Sequence, residues 1–393
     1  MKYFYLFTLL LCSRYALGQM ISTPVEIKID PEKIATSGLG LNDLVDTIEY
    51  VPLETKKECL IGNNMLFDFS EKYIIVSYYN AESALLFDRK GHFLCCIGSK
   101  GSGPNEFVNI SKLFISPNNQ YVIIVDYGKA LYFNTKGEFL WSTPLPLDDR
   151  TTIAYHREQF LRMAQSYVYR DSTYYIYTLH DIKGRLLKES IKSISIPLQV
   201  NQTYRIAYST VNIVPAYTYK NKVHVREYLN DTVYVIDDIS NFVPKYIFNL
   251  GKYKVTPEIQ GDMAHFRKRT ADKLFVLDMY ETSGKILIEY MYHGVHFGYY
   301  DCAKQKMYEF KNREGFPNDY DGGLDFVSSG FGQRNEFIAT YFYADDIENL
   351  MFLQHRKKRK IEGPQSAVQA FEKLVKKVDP DDNPIIMIVK LKE

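Results

Sequence analysis

The sequence carries no surplus of charge of either sign. Its 393 residues include 48 Lys+Arg and 47 Asp+Glu, which gives a formal net charge of +1. This balance argues against a nucleic-acid-binding protein that relies on overall charge, so we expect no nucleic-acid partner. Hydrophobic residues make up 46% and charged residues 24% of the chain. These are values of an ordinary globular protein and exclude disorder along the whole chain.

The chain also lacks long hydrophobic runs, catalytic signatures and a disulfide framework. Beyond the N-terminal segment, no stretch reaches the roughly 20 apolar residues that span a bilayer, so we expect no transmembrane segment. We find no G-x-S-x-G elbow, no H-E-x-x-H motif and no nucleotide fingerprint. The four cysteines beyond residue 18 have spacings that form no disulfide framework. We expect them to be buried thiols in sheets: Cys59, Cys95, Cys96 and Cys302.

The N-terminus has the pattern of a secretory signal peptide over residues 1–18. Lys2 precedes an apolar stretch at 3–12, and Ala16-Leu17-Gly18 supplies the small residues of a cleavage site. Cleavage there removes two basic residues and no acid, so the formal net charge falls from +1 to −1. We therefore expect an exported protein of the periplasm or cell envelope. Two alternatives are a buried N-terminal strand and a lipid anchor on Cys12, which the large Leu11 before it disfavours.

Aromatic residues are abundant, with 33 Tyr and 24 Phe beside a single Trp. Such residues favour strands. One pattern recurs along the chain: an alternating apolar strand, a short polar turn and a second strand. The copies lie at residues 85–97, 131–141, 175–188, 233–248 and 297–310. In the first three, Gly91, Gly137 and Gly184 occupy matching turn positions, where we predict a positive φ.

A second hairpin precedes most copies, so the repeating unit is an antiparallel meander of four strands. Units of about 45 residues with four strands are typical of β-propeller blades. Residues 324–331 and 336–343 are predicted to begin a last unit, and 384–392 to form its third strand. Val25–Ile29 is predicted to complete that unit and close the ring. We predict one domain over residues 19–393, an all-β, six-bladed β-propeller, with five or seven blades as alternatives.

A helical insertion is predicted in the last blade, at about residues 345–379. Apolar residues recur there at helical spacing after Gly363-Pro364. A basic run at 355–360 precedes them. Read alone it resembles a nucleic-acid-binding patch, but the export signal favours a solvated surface or an anionic partner.

Residues 97–140 resemble an NHL-type propeller repeat. The matching positions include the loop at 101–107 (GSGPNEF), Val125-Asp126 and the turn glycine Gly137. Together with the segments 48–55 (IEYVPLET) and 383–389 (NPIIMIV), this loop resembles the exported six-bladed β-propeller family of Gram-negative bacteria. That family is largely uncharacterised. The resemblance implies a fold and a compartment and no established reaction.

Two groups of residues could hold a metal ion, and neither pattern is complete. His293 and His296 would face opposite sides of a strand unless a turn at Gly294 brings them together, and zinc requires a further ligand. Asp319, Asp321 and Asp325 resemble a calcium loop without its regular spacing or terminal Glu. We predict no cofactor, with a divalent cation such as calcium as the alternative. The Gly101–Pro104 loop is interpreted as a crossover between blades, because no helix follows it to face a phosphate.

Three classes of function remain open. The first is a binding module whose loop face holds a protein, peptide or glycan partner, a role that suits tyrosine with its apolar ring and polar hydroxyl. The second is a metal-dependent propeller enzyme, a lactonase-like hydrolase or a lyase, with its site at the central channel. The third is a structural component of the cell envelope. We favour the binding module, acting as a monomer, and the sequence nominates no catalytic residue.

Overall fold

The computed structural model describes most of the chain after residue 22. The described residues are 23–126, 128–145, 151–167, 173–194, 216–227, 230–239, 241–256, 259, 265–311, 315–328, 331–347 and 360–393. The predicted signal peptide and residues 355–359 of the basic run lie outside them.

Strands account for most of the described structure. The first three are β1 (Val25–Lys28), β2 (Ala35–Ser37) and β3 (Val45–Pro52). Five meanders of four antiparallel strands follow, which we call units 1 to 5. Unit 1 comprises β4 (Leu66–Phe69), β5 (Tyr73–Ser77), β6 (Ala84–Asp88) and β7 (Phe93–Ile97). Unit 2 comprises β8 (Lys112–Ile115), β9 (Tyr121–Asp126), β10 (Gly128–Asn134) and β11 (Phe139–Leu145).

The next three meanders have the same strand order. Unit 3 comprises β12 (Thr151–His156), β13 (Gln159–Tyr167), β14 (Thr173–Asp181) and β15 (Leu186–Ile194). Unit 4 comprises β16 (Ala216–Tyr219), β17 (Lys222–Arg226), β18 (Thr232–Asp238) and β19 (Asn241–Asn249). Unit 5 comprises β20 (Phe275–Glu281), β21 (Lys285–Met291), β22 (Val295–Asp301) and β23 (Lys306–Phe310). Each of the five predicted sequence copies forms the last two strands of one unit.

Both ends of the chain contribute to a further four-stranded group, unit 6. It contains β24 (Gln333–Arg334), β25 (Phe337–Phe342) and β26 (Ile385–Leu391), and β3 is its fourth strand. A single parallel pair between Thr218 and Arg334 joins unit 6 to β16 of unit 4. The strands predicted at 336–343 and 384–392 are therefore present, in slightly shorter form.

The prediction that Val25–Ile29 completes the last unit is wrong. β1 instead pairs in parallel with β19, as a fifth strand of unit 4. β3 occupies the predicted place and pairs along the whole of β26, from Ile385 opposite Pro52 to Leu391 opposite Val45. The eight residues of β3 match the seven of β26, whereas β1 has only four. The longer strand can therefore cover the whole edge of β26.

The strand predicted at residues 324–331 is also absent from the described residues of that segment. Only an isolated bridge forms there, between Phe316 and Phe326. The Asp325 carboxylate accepts a hydrogen bond from the Asn318 backbone N–H at 2.8 Å, which folds the segment as a loop. Phe326 is fully buried in the core. Phe326 thus fills the core from a loop, and not from a strand.

The hydrophobic core lies at six seams between neighbouring units. Consecutive units share a buried cluster from unit 1 through to unit 6. A further cluster joins unit 6 to unit 1 and includes Val51, Ile74, Phe87 and Ile388. Each sheet is thus covered on both faces, which explains the nearly continuous apolar runs of its middle strands.

The turn glycines have the conformation that the repeat predicts. The φ angles are +89° at Gly91, +84° at Gly137 and +72° at Gly184. An Asp or Asn stands three residues before each glycine, and its side-chain oxygen accepts two backbone N–H groups of the turn. These residues are Asp88, Asn134 and Asp181. These turns confirm the aligned register of the first three copies.

Helices are short. α1 spans Phe266–Arg269 and α2 spans Gln365–Val375, and three 3-10 turns lie at Leu41–Asp43, Lys57–Cys59 and Gly251–Tyr253. Within the described residues of the insertion predicted at 345–379, α2 begins directly after Pro364, and one further helical turn lies at 344–347. No helix among the described residues is long and apolar enough to cross a membrane.

The four cysteines beyond residue 18 are free thiols, but only one of them is buried. Cys59 is buried but lies in a 3-10 turn, Cys95 is half-buried in a strand, and Cys96 and Cys302 are exposed, so the expectation of buried thiols in sheets is met in full by none of them. Cys95 and Cys96 lie on opposite faces of β7, as adjacent strand residues must. Cys96 is exposed because β7 is the outermost strand of unit 1.

Candidate functional site

Antiparallel order places several loops of each unit at one end. The connection between the second and third strands of a unit lies at the end of the sheet where the first strand begins. The segment that arrives from the preceding unit enters the sheet at the same end. We call this end of each unit the loop end. In units 1 and 6 it is formed by residues 53–65, 78–83, 331–332 and 343–347.

Exposed and half-exposed apolar side chains gather at this end of units 6 and 1. Tyr79 is 77% and Leu60 is 53% exposed, large values for residues of this size. At the same end the half-buried rings of Phe67 and Phe331 stack with centroids 5.3 Å apart, and Tyr341 meets Phe67 edge-on at 6.2 Å. We call this group the aromatic patch; it consists of Leu60, Phe67, Tyr79, Phe331, Tyr341 and Tyr343.

Hydrogen bonds fix the patch on its sheets. The Asn64 backbone N–H donates to the Tyr343 hydroxyl at 3.2 Å, which joins the loop before β4 to unit 6. The Tyr79 backbone N–H donates to the Asn63 carbonyl at 3.0 Å. Burial raises the pKa of Tyr341 to about 12, so its hydroxyl is neutral at physiological pH. The rings therefore form a positioned, uncharged surface.

An ion pair between the partly exposed Arg334 and the buried Asp68 adjoins the patch. Arg334 pairs with Asp68 at 2.6 Å and donates to the Phe69 carbonyl at 3.0 Å. The other carboxylate oxygen of Asp68 accepts the Ile115 backbone N–H at 2.7 Å. These bonds link the first strands of units 6, 1 and 2. The Arg334 guanidinium also lies 5.5 Å from the centre of the Phe331 ring, so it holds one ring of the patch.

A second polar cluster is buried between units 4 and 5. The Glu281 carboxylate is 1% exposed and accepts the Tyr217 hydroxyl at 2.5 Å, the Tyr246 hydroxyl at 2.7 Å and the Lys245 ammonium at 2.6 Å. Burial lowers the pKa of the neighbouring His224 to about 4, so that ring is neutral. Because hydrogen-bond donors surround the Glu281 carboxylate, this cluster stabilises the seam between units 4 and 5.

Two further carboxylates lie side by side on unit 5. Asp278 and Glu289 are directly opposite on β20 and β21, and each is less than a tenth exposed. Asp278 accepts the Tyr280 hydroxyl, the Ser328 hydroxyl and its neighbour's N–H at 2.7–2.9 Å. One carboxylate oxygen of Glu289 has no hydrogen-bond partner among the described residues. Burial, with a smaller effect of the Asp278 charge, raises the pKa of Glu289 to about 7.

We expect this raised pKa to make stability depend on pH. In the unfolded chain Glu289 releases its proton near its ordinary pKa of 4.5, whereas the folded protein keeps it up to about 7. Folding stability should therefore fall as pH rises from about 5 to 8, by about 2–3 kcal/mol from this group. Glu289→Gln should be more stable than the parent at pH 8, with the difference lost near pH 4.5. Urea unfolding of parent and variant at both pH values measures the two free energies of unfolding. An equal difference between parent and variant at the two pH values would contradict the raised pKa of Glu289.

The histidines predicted as metal ligands are not brought together. His293 is exposed in the turn, whereas His296 is 6% exposed within β22. The His296 ring nitrogens contact a Glu309 carboxylate oxygen at 2.6 Å and the Tyr292 carbonyl at 2.8 Å. The turn at Gly294 therefore leaves the two rings in different surroundings.

The aspartates of the predicted calcium loop bind protein groups. Asp321 accepts the Asn318 amide at 2.7 Å and the Gly323 N–H at 2.8 Å, and Asp319 accepts the Asn42 N–H at 2.8 Å. Among the described residues, no three His, Cys, Asp or Glu side chains form a group that could hold a metal ion. Metal binding by these residues stays a prediction.

Sequence reasoning did not identify the aromatic patch or the buried carboxylates. The patch combines residues far apart in sequence, from Leu60 to Tyr343, and aromatic residues occur in every unit. One signal was available for Glu289, a lone acid in the apolar run at 285–292. The sequence alone could not place Asp278 opposite it.

Comparisons with known proteins find a family and a similar solved structure. A family model described as "Domain of unknown function (DUF4934)" matches residues 25–390. The comparison with curated proteins finds no match. A crystal structure of BF0058 from Bacteroides fragilis, described as an exported protein, is similar with a TM-score of 0.67 and 17% identity, covering 94% of this chain and 100% of that chain. This similarity shows a shared fold.

Two more distant structures are also similar. A member of the DUF4221 family from Bacteroides vulgatus has a TM-score of 0.43 and 13% identity, covering 89% of this chain and 97% of that chain. The β-propeller domain of the Trilobed protease from Pyrococcus furiosus has a TM-score of 0.36 and 10% identity, with 70% and 76% coverage. At these TM-scores neither structure carries an argument about this chain.

Proposed function

The chain belongs to the family described as domain of unknown function DUF4934, and from this premise we propose that it is an exported six-bladed β-propeller that binds a protein partner. The six four-stranded units would be its blades. The cluster that joins unit 6 to unit 1 supports this arrangement, because six seams between six units close a ring.

Export is part of the proposal. The signal pattern at residues 1–18 supports it, and the similar protein BF0058 is itself described as exported. The intact mass of the protein recovered from its own cells tests the cleavage. A chain that begins at Gln19 is the expected result, and a lipid-modified Cys12 would overturn it.

The aromatic patch is the observation that carries the binding function. Exposed apolar clusters at loop ends are typical of protein interaction sites, where tyrosine and arginine contribute most of the affinity. Tyr79 and Leu60 are exposed in two loops of this end, and the half-buried rings of Phe67 and Phe331 stack on each other. A folded surface of this kind loses little side-chain entropy on binding, which favours affinity.

We expect Tyr79→Ala to weaken partner binding by about tenfold or more, since truncating an aromatic hot spot commonly costs above 1 kcal/mol. A photo-crosslinking residue at position 79, introduced in cells, identifies the partner. Affinity of the purified pair then measures the effect of the substitution. Because Tyr79 is 77% exposed, its removal should leave the melting temperature within about one degree.

Leu187 provides the matched control, since it is 47% exposed but lies on β15 of unit 3. A crosslinker at position 187 should give no adduct, and Leu187→Ala should bind normally. Equal adducts at both positions would contradict a site at the patch. Binding to a purified glycan with the same Tyr79 dependence would replace the protein partner by a carbohydrate.

A further inference from the structure

A β-bulge in the first strand of unit 5 brings two acidic residues together. The register of β20 against β21 shifts between Val276 and Asp278, so that Leu277 is the extra residue of the bulge. Without the bulge, the register that sets Val276 opposite Tyr290 would continue with Leu277 opposite Glu289. The bulge sets Asp278 there instead, and bulges commonly re-aim a side chain beside a functional site. The backbone itself thus specifies this pair of acids.

Both carboxylates lie in the apolar seam between units 5 and 6. Tyr280 and Leu287, which are on the same face of the sheet as the two acids, belong to the cluster that joins these units. Phe297, opposite Glu289 on β22, belongs to the same cluster. Asp278 is 5% and Glu289 is 8% exposed. A carboxylate in such surroundings costs free energy unless hydrogen bonds or an opposite charge compensate it.

The described residues compensate only one of the two carboxylates. Asp278 accepts the Tyr280 hydroxyl at 2.9 Å, the Ser328 hydroxyl at 2.7 Å and the backbone N–H of its neighbour at 2.8 Å. These three donors, and more weakly the charge of Arg226, act against the burial that raises the pKa of Asp278. The Oε2 atom of Glu289 is buried and has no hydrogen-bond partner in the described part of the chain. A cation between the two acids would give this oxygen the partner it lacks.

We propose that Asp278 and Glu289 bind a calcium ion. Residues directly opposite on antiparallel strands have Cβ atoms about 4.5–5.5 Å apart, so the two side chains can place their oxygens around one ion at about 2.3–2.6 Å. The Ser328 hydroxyl, 2.7 Å from an Asp278 carboxylate oxygen, supplies a further oxygen beside them. Because the site has two acidic ligands and not three, water completes the coordination, which the flexible geometry of calcium tolerates. Magnesium fits less well, since it demands near-ideal octahedral geometry and keeps several waters.

Thermal unfolding of the intact protein, first stripped of metal ions with a chelator, tests the site. At pH 8 we expect calcium chloride at about 10 mM to raise the melting temperature by about 2 °C or more, because a ligand of the folded state stabilises it. Potassium chloride of the same ionic strength should give no such rise. At pH 5.5 the rise should fall to less than half, since calcium then competes with the proton that Glu289 keeps up to about pH 7. No rise at pH 8, an equal rise at pH 5.5, or an equal rise with potassium chloride would overturn the site.

Variants locate the ion. Glu289→Gln should abolish the calcium-dependent rise, and it is expected to fold because a neutral side chain of the same shape replaces the buried acid. Asp319→Asn is the matched control from the calcium loop predicted by sequence, and it keeps an oxygen for the Asn42 N–H. It should retain the rise of the parent. A rise that persists in Glu289→Gln, or that is lost in Asp319→Asn, would overturn the site. Because no partner protein is present, the result is independent of binding at the aromatic patch.

Discussion

Gly91→Val should destabilise the folded protein by about 2–6 kcal/mol. Gly91 has a φ of +89°, which a β-branched residue adopts only with strain of about 1–3 kcal/mol. A Cβ atom at this position would also lie 2.0 Å from the Pro52 carbonyl oxygen of β3, a backbone atom that cannot move aside alone. Relieving that overlap costs about 1–3 kcal/mol more. The midpoint of urea-induced unfolding measures the loss.

Substitutions at other glycines separate the effect of backbone strain from the effect of steric overlap. Gly128 has a similar φ of +88°, but a Cβ there meets nothing within 4 Å, so Gly128→Val should show the strain alone. Gly137→Val should lie between the two, because its Cβ would be 2.6 Å from the Cys96 carbonyl oxygen. Lys136→Val, at an exposed neighbouring turn position, should cost clearly less. If Gly91→Val unfolds at the parent's midpoint, the turn does not pack against β3.

Val51→Asp should cost about 4 kcal/mol or more and lower the stability of the whole domain. Val51 is 2% exposed in β3, opposite Ile386, and it belongs to the cluster between units 6 and 1. Asp at this position would bury a charge without a partner, one of the most costly single changes. Because β3 joins the two ends of the chain in one sheet, its loss should expose the edge of β26 and loosen both units.

Unfolding followed by circular dichroism and by tyrosine fluorescence measures this effect. We expect one transition at a lower midpoint, seen alike by both probes. Thr47→Asp on the same strand is the control, since Thr47 is exposed opposite Lys390 and should change stability by about 0.5 kcal/mol or less. Two separate transitions in Val51→Asp would mean that unit 6 unfolds independently of the others.

The repeat was predictable from sequence because its determinants are local. An Asp or Asn followed three residues later by Gly specifies the turn, and the flanking apolar runs specify its strands. Gly91, Gly137 and Gly184 thus gave the register of three hairpins correctly. The copy at 297–310 lacks the turn glycine, yet it forms β22 and β23 because the apolar pattern of its strands is intact.

Strand partners at the chain ends were not predictable in the same way. Val25–Ile29 and the 48–55 segment both have strand-like patterns, and either could reach the edge of β26. Which strand pairs with β26 depends on the sheet edge that each strand covers and on how much apolar side-chain surface it buries at that edge. Ile27 is fully buried between units 4 and 5, so β1 gains its burial on unit 4.

The sequence by itself determined the all-β class, the four-stranded repeat and the turn conformations, since these follow from spacing and backbone preference over a few residues. Only the tertiary structure decided that β3 completes unit 6 and that Asp278 lies opposite Glu289. Burial, pairing and a shift in pKa depend on neighbours that are distant in sequence. No local pattern specifies those neighbours, because many different side chains could fill the same strand position.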